Sequence, residues 1–295
     1  MREQQATEKK KTTAAQLQVL LGASLWGLIG LFNRQLTAGG FSAQSIVTVR
    51  NLGGLLVLTL VLLLTRREAL KIQLRHLPIF FGTGVVSVIF FTLCYFRCQQ
   101  IASLAVAAIL LYTAPAFVVL LSALIFRERI TRRKLAALAL AFLGCVFVSG
   151  ILQGGLSLSG AGFLLGVASG FFYGLYSIFA PFALKHYQPL TVIYYTFVFA
   201  GLGSLPLLRT EEVLPALHSL PLLGSVAGLV LIATVLPYLF YTRGLAGVES
   251  GRAAILASVE PIVAALVGIA AFGEPLTLGV ALGLACILAT VYLLR

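Results

Sequence analysis

One segment occurs twice in this chain, at a fixed spacing and in an apolar setting, and that repetition limits the possible folds more than any other feature. Ile109-Leu-Leu-Tyr-Thr-Ala-Pro115, running on through Leu124-Ile-Phe-Arg-Glu128-Arg129, has a twin in the stretch from Ile255 through Pro261 to Phe272-Gly-Glu274-Pro275. Pro115 and Pro261 stand 146 positions apart, and so do Glu128 and Glu274. Tyr95 and Arg97 meet Tyr241 and Arg243 at the same offset without a gap. The chain therefore reads as two copies of one unit, 1–150 and 151–295. The second copy places Glu260 before Pro261, near the middle of an apolar run long enough to cross a bilayer. A carboxylate at that depth is costly and survives mainly where it faces protein or a water-filled cavity. The proline removes a backbone hydrogen bond that must be replaced locally.

Only 10% of the 295 residues are charged and 60% are hydrophobic, against about 25% charged in soluble domains. A spanning helix needs roughly 20 mostly apolar residues. Windows of that kind lie near 15–36, 43–65, 76–97, 102–126, 131–151, 160–181, 189–208, 219–242, 248–271 and 277–294. The expectation is an all-α membrane protein of ten transmembrane helices in two five-helix repeats. Because five is odd, the second copy must insert upside down, which makes the repeats inverted.

The net charge of +12 would suggest nucleic acid in a soluble chain, but its placement says otherwise. With a cytoplasmic amino terminus, 17 of the 21 Lys and Arg residues fall on the cytoplasmic side. Arg34, Arg97 and Arg209 fall outside, and Arg50 lies within a span. This positive-inside asymmetry puts both termini in the cytoplasm of a multi-pass protein of the cell (inner) membrane. No nucleic-acid partner is expected. The polar, basic start (1–11) is followed by no small-residue cleavage site, so the first helix is expected to be retained.

Several residues are candidates for a central site. Trp26-Gly27 and Tyr173-Gly174 are aromatic–glycine pairs at matching places in the two copies. Arg50 either snorkels to the outer headgroups or faces a cavity, where it would hold a substrate carboxylate or pair with Glu260. Glu260 reads as a proton-binding site or a partner for a substrate amine, with a neutral packing role as the plain alternative. Tyr112 joins this set, while Ser169, Tyr176, Tyr238 and Ser258 are weaker members. Tyr95 and Tyr241 beside Arg97 and Arg243 read as interfacial anchors. Gly162, Gly166, Gly170 and Gly174 align on one helix face, as a packing ridge or a sliding surface. Glu128 and Glu274, at helix ends, read as caps or structural pairs.

Other chemistries lack their residues. No glycine-rich loop with a Lys-Ser/Thr follows a strand, so this chain shows no ATP site. The three histidines lie in expected loops without a carboxylate at ligand spacing, and Cys94, Cys98, Cys145 and Cys286 read as small buried residues. No enzyme activity, metal or cofactor is expected.

The pattern resembles the EamA-type family of the drug/metabolite transporter superfamily, and the resemblance covers nearly the whole chain. It rests on Trp26-Gly27, Arg50, Tyr112-Thr-Ala-Pro115 to Arg127-Glu128-Arg129, and Glu260-Pro261 to Gly273-Glu274-Pro275. It implies ten helices in an inverted five-plus-five repeat, a central cavity, and export of small metabolites such as amino acids by alternating access. Substrate contacts are then expected at Trp26, Arg50, Tyr112, Tyr173 and Glu260. A proton is a candidate coupling partner, and a homodimer contact is a candidate role for the fifth and tenth spans. The first copy departs from the second at Ala114, which stands where Glu260 does. Import of metabolites is the alternative, followed by a membrane-embedded enzyme or a channel.

Overall fold

The computed structural model describes residues 2–102, 104–149, 151 and 159–294, without the side chains of residues 2–10, 216 and 217. The expected division after residue 150 falls beside residues outside this set. Every regular element among the described residues is helical. Eight helices are long and apolar enough to cross a membrane. In chain order with the two shorter ones they are α1 (Lys11–Ala38), α2 (Ala43–Thr65), α3 (Leu74–Ile101), α4 (Leu104–Phe126), α5 (Arg132–Val148), α6 (Gly160–Leu184), α7 (Pro189–Leu207), α8 (Leu220–Leu245), α9 (Ser250–Phe272) and α10 (Leu278–Leu293). With 17 and 16 residues, α5 and α10 reach about 25 Å at 1.5 Å per residue, short of the roughly 30 Å hydrocarbon thickness.

The repeat written in the sequence is also written in the local backbone. Thr131 and Thr277 cap α5 and α10 alike, each side-chain oxygen accepting the backbone N–H three residues on. The helices before them end alike too. Arg127 and Gly273, equivalent in the two copies, both take the left-handed conformation (φ 58° and 67°). The next amides, of Glu128 and Glu274, then close back on Ser122 O and Gly268 O, each at 3.3 Å. Glycine tolerates that conformation readily. Arg127 is the only non-glycine residue to adopt it among the described residues.

Three kinds of irregularity recur near the bundle centre. α4 is interrupted at Tyr112-Thr113 and resumes at Ala114; α9 tightens over Ala257–Val259 and resumes at Glu260. Both restarts carry proline second, where its missing N–H costs little. α3 and α8 widen into π-helical turns at Gly82–Ile89 and Leu231–Val235. Such turns are uncommon and often sit at functional sites. α1 breaks only in the first copy, at Gly27-Leu28, whereas its counterpart α6 runs on with Pro181 inside.

Packing crosses between the copies: α1 lies on α8, α3 on α6, α2 on α7 and α5 on α10. Glycines set these crossings. A Cβ on Gly22 would meet Pro237 O at 2.8 Å and Tyr241 N at 2.9 Å. On Gly27 it would meet Glu260 O at 2.8 Å, and on Gly174, the equivalent position, Ala114 O at 3.3 Å. The ridge Gly162, Gly166, Gly170 and Gly174 is buried; Cβ atoms on the last three would strike Leu110, Thr113 and Val118 of α4. The ridge is therefore a packing face laid against the α4 break. α5 and α10 buttress each other, with Gly144 and Gly283 at the contact.

Two expectations from sequence need correction. Tyr241 is not an interfacial anchor: it is 3% exposed, and its hydroxyl bonds Ser177 Oγ at 2.7 Å. A buried tyrosine so paired leaves no orphaned polar group. Tyr95 is half-buried and faces a cavity rather than a headgroup layer. Arg97 and Arg243 beside them are exposed.

The helices place their joining segments at two ends. One, the basic end, carries residues 66–73, 127–131, 185–188 and 246–249; the other carries 39–42, 208–219 and 273–277. At the second end, Ser42 N donates to Glu212 Oε2 at 2.7 Å, tying the 208–219 segment to the start of α2. Hydrogen bonds from Ser42, then Ser45, with help from Arg209, hold the Glu212 carboxyl well below its usual range, at about 2.

The Gly27 crossing supplies a direct test. Gly27→Ala puts a methyl within 2.7 Å of Val263 Cβ and 2.8 Å of Glu260 O, so it is expected to destabilise by about 1–3 kcal/mol. Gly30→Ala, with nothing within 4 Å of its new atom, is the matched control and is expected to leave thermal unfolding in detergent unchanged.

Candidate functional site

The breaks in α1, α4 and α9 meet at a cavity of about 330 Å³ between α1, α2, α3, α4 and α9. Trp26, Arg50, Tyr112 and Glu260, four of the five residues singled out from sequence, line it together. It runs from these mid-helix positions to Thr37, Ala43 and Gln99, at helix ends away from the basic end. Helix α1 gives Trp26 and Asn33, α2 gives Arg50, α3 gives Phe91, Tyr95 and Gln99, and α9 gives Glu260. The fifth candidate, Tyr173 on α6, reaches the same group from the side. Its hydroxyl donates to Glu260 Oε2 at 3.1 Å, and its ring packs on Phe91 at 5.1 Å.

Local sequence explains the placing of Glu260. Glu260 is the first residue of the resumed helix Glu260–Phe272, directly after the tightened turn Ala257–Val259. Pro261 in second place keeps α9 from closing over the break. Gly27 lets α1 lie against the Glu260 carbonyl. Arg50 lines the same cavity as Glu260.

Below the cavity, toward the basic end, lies a narrow apolar crevice lined by Trp26, Phe91, Tyr173, Tyr176, Tyr238 and Tyr241. Trp26 forms its lid, with its ring 5.1 Å from both Tyr238 and Tyr241. Hydrogen bonds of 2.6 Å (Tyr176–Thr242) and 2.7 Å (Ser177–Tyr241) lace α6 to α8 beneath it. The weaker sequence candidates divide accordingly. Tyr176 and Tyr238 build this floor, Ser169 is buried with its hydroxyl bonded to Gly166 O at 2.6 Å, and Ser258 is buried at the α9 break.

Polar atoms without protein partners mark the cavity wall. Trp26 Nε1, Asn33 Oδ1 and Arg50 Nε, on cavity-lining residues, are buried and unpaired, as are both amide atoms of Asn51 next to Arg50. Buried polar groups are nearly always satisfied, so orphans gathered on one cavity indicate water or a ligand. Asn33, Tyr95, Phe91 and Gln99 were not chosen from sequence. The available signal was the polarity of Asn33 within an apolar span, Gln99 falling between two windows, and nothing local tells which face of a span meets the other copy.

A helical bundle of this apolarity, with charged groups of both signs turned into one cavity, is a multi-pass membrane transporter. The family model of EamA-like transporters matches residues 13–150 and again residues 160–295. This chain belongs to the EamA-like transporter family, with that family's two-repeat architecture. It is 35% identical to an uncharacterized transporter of Archaeoglobus fulgidus over 67% of this chain and 69% of that one. It is 28% identical to the uncharacterized inner membrane transporter YicL of Salmonella typhimurium, over 96% and 95% of the two chains. It also matches a probable amino-acid metabolite efflux pump of Salmonella typhimurium at 26% identity, over 58% and 60%. A solved protein crystal structure superposes with a TM-score of 0.77 at 17% identity, covering 95% of this chain and 96% of that one.

Trp26 is the chain's one tryptophan, so intrinsic fluorescence reports directly on the cavity floor. Titration with a molecule that enters the cavity is expected to shift or quench the emission by about 10% or more, since the indole N–H is unpaired and its burial changes. Arg50→Ala, which removes a cavity-lining group and keeps the fluorophore, should weaken the saturable change, and an unchanged titration in that variant would place binding elsewhere.

Proposed function

We propose that this chain is a secondary transporter that exports small metabolites, amino acids or related compounds, across the cell (inner) membrane by alternating access. In this reading all ten helices cross the bilayer as two inverted five-helix repeats, 1–150 and 151–295, with both termini cytoplasmic. α5 and α10 cross at a thinned rim, or with snorkelling residues at their ends. The basic end is then cytoplasmic and the cavity opens outward.

The observation that carries the reading is the meeting of Glu260 and Arg50 on one cavity wall above an aromatic floor. A zwitterionic metabolite would set its carboxylate on Arg50 and its ammonium on Glu260, in place of the water each group would otherwise hold. Tyr173 fixes the position of the Glu260 carboxylate, Tyr112 lines the same cavity, and Trp26 closes over the bound molecule's apolar part. A proton on Glu260 competes with the substrate ammonium for one carboxylate, and that competition couples export to proton entry. Sites near the midplane at broken helices are the usual arrangement for inverted-repeat transporters. Two relatives, a probable amino-acid metabolite efflux pump of Salmonella typhimurium and a pseudopaline exporter of Pseudomonas aeruginosa, support the outward direction, and the first supports an amino-acid-like cargo.

Reconstituted proteoliposomes test this. Wild type is expected to move one or more members of a labelled amino-acid panel, faster when a pH gradient is imposed. Glu260→Gln should lose the gradient's effect, about tenfold or more in rate. Normal gradient-driven transport by the variant would remove Glu260 from the mechanism.

A further inference from the structure

We infer that Glu128 and Glu274 are the two gate latches of the transport cycle, one for each end, and that only the first is engaged in this structure. The inference rests on alternating access as proposed above and extends it to residues outside the cavity.

Glu128 sits at the corner between α4 and α5 at the basic end, and stitches that corner to the start of α9. Its carboxylate accepts Ser250 N at 2.7 Å and Gly251 N at 3.2 Å. Ser122 Oγ donates to it at 3.0 Å and Lys134 Nζ lies 3.3 Å away. Lys134, itself only 7% exposed, bridges on to Glu249 at 2.7 Å. A carboxylate buried with two amides, a hydroxyl and an ammonium around it makes a strong, directional tie. It joins an element of the first copy to an element of the second, so the basic end cannot part while it holds.

The repeat then dictates a counterpart. Glu274 occupies the same place at the α9–α10 corner, 146 positions on, with the same left-handed residue before it and the same closing hydrogen bond. Its carboxylate even folds back over Gly268, the equivalent of Ser122, whose added Cβ it would contact. The partners equivalent to Ser250 and Gly251 are Leu104 and Ala105, in the first turn of α4, where amides have no partner within the helix. Yet Glu274 instead meets Arg34 of α1 at 3.0 Å, with both side chains about half exposed (56% and 50%), and Leu104 is 69% exposed. The open cavity lies at this same end. The latched end is closed and the unlatched end is open.

Closing the cavity mouth would carry Glu274 from Arg34 to the α4 amides, while Glu128 lets go of Ser250 and Gly251. The two latches are unequal. Where the first has Ser122 and Lys134, the second has Gly268 and Val280. The difference favours the state seen here as the resting one.

Two reporters, each with one added cysteine, read the two ends without needing a known substrate. Gly30→Cys lies in the open cavity with space around it, and Ala254→Cys is buried in the crevice toward the basic end. Each is labelled with a membrane-impermeant maleimide from its own side, with the parent's four native cysteines as background. Glu128→Gln is expected to slow labelling at position 30 and speed it at 254, each by about fivefold or more, the effect of losing one charge-assisted tie. Glu274→Gln added to Glu128→Gln should move both rates back toward the parent, a reversal that a merely structural role would not give. Glu249→Gln, at a half-exposed site, should move them as Glu128→Gln does but less, and serves if Glu128→Gln unfolds and both reporters rise together. Rates within about twofold of the parent in Glu128→Gln and Glu249→Gln, with reporters that still vary oppositely as pH is changed, would overturn the latch and leave alternating access standing. Reporters that never vary oppositely under any condition would overturn both.

Discussion

A helix interrupted inside a bilayer exposes amides and carbonyls that lipid cannot satisfy, and such breaks persist only where protein or a water-lined space takes over. The rest of this structure depends on two such breaks, at Tyr112-Thr113 in α4 and Ala257–Val259 in α9. Each is covered by a glycine of the other copy, Gly174 over Ala114 O and Gly27 over Glu260 O. The cavity, the carboxylate at its wall and the pseudo-symmetric crossing of the copies all follow from that exchange. Replace either glycine by a larger residue and the crossing must widen.

The two copies share a backbone plan but differ in chemistry. Ala114 and Glu260 stand at equivalent restarts, so one break is uncharged and the other carries a charge. Arg50 likewise has no charged counterpart, Tyr194-Tyr195 occupying the matching part of α7. In the proposed cycle, an asymmetric site inside a symmetric frame lets a polar molecule bind in one orientation while either end of the frame opens. The unequal surroundings of Glu128 and Glu274 extend the same logic to the gates.

Much of this architecture was legible in the sequence. The 146-residue offset, the apolar windows and the proline restarts mark local features, and local features survive into the fold: Thr131 and Thr277 cap as expected of their type, and Pro115 and Pro261 sit second in their helices. Glu260, Arg50, Trp26 and Tyr112 were also legible, because polar or aromatic groups in apolar spans need a reason to be there. What stayed hidden depends on which faces meet across the copies. Tyr241 looks like a headgroup anchor by its position near a span end, yet α6 supplies Ser177 and turns it inward. Phe91 looks like any packing aromatic until α6 brings Tyr173 to its face. Glu128 looks like a cap for its own corner, and its partners at Ser250 and Gly251 lie 122 and 123 positions away.

The central claim is that one cavity opens alternately at either end, and the distance across its mouth measures this most directly. Spin labels at Ala38 and Gln100, exposed residues beside the mouth, report that distance by double electron–electron resonance in lipid nanodiscs. The expected result is two distance populations, the longer matching the open mouth seen here, with the shorter growing when a transported amino acid is added. A single distance that stays fixed while the same protein transports that amino acid would contradict the account.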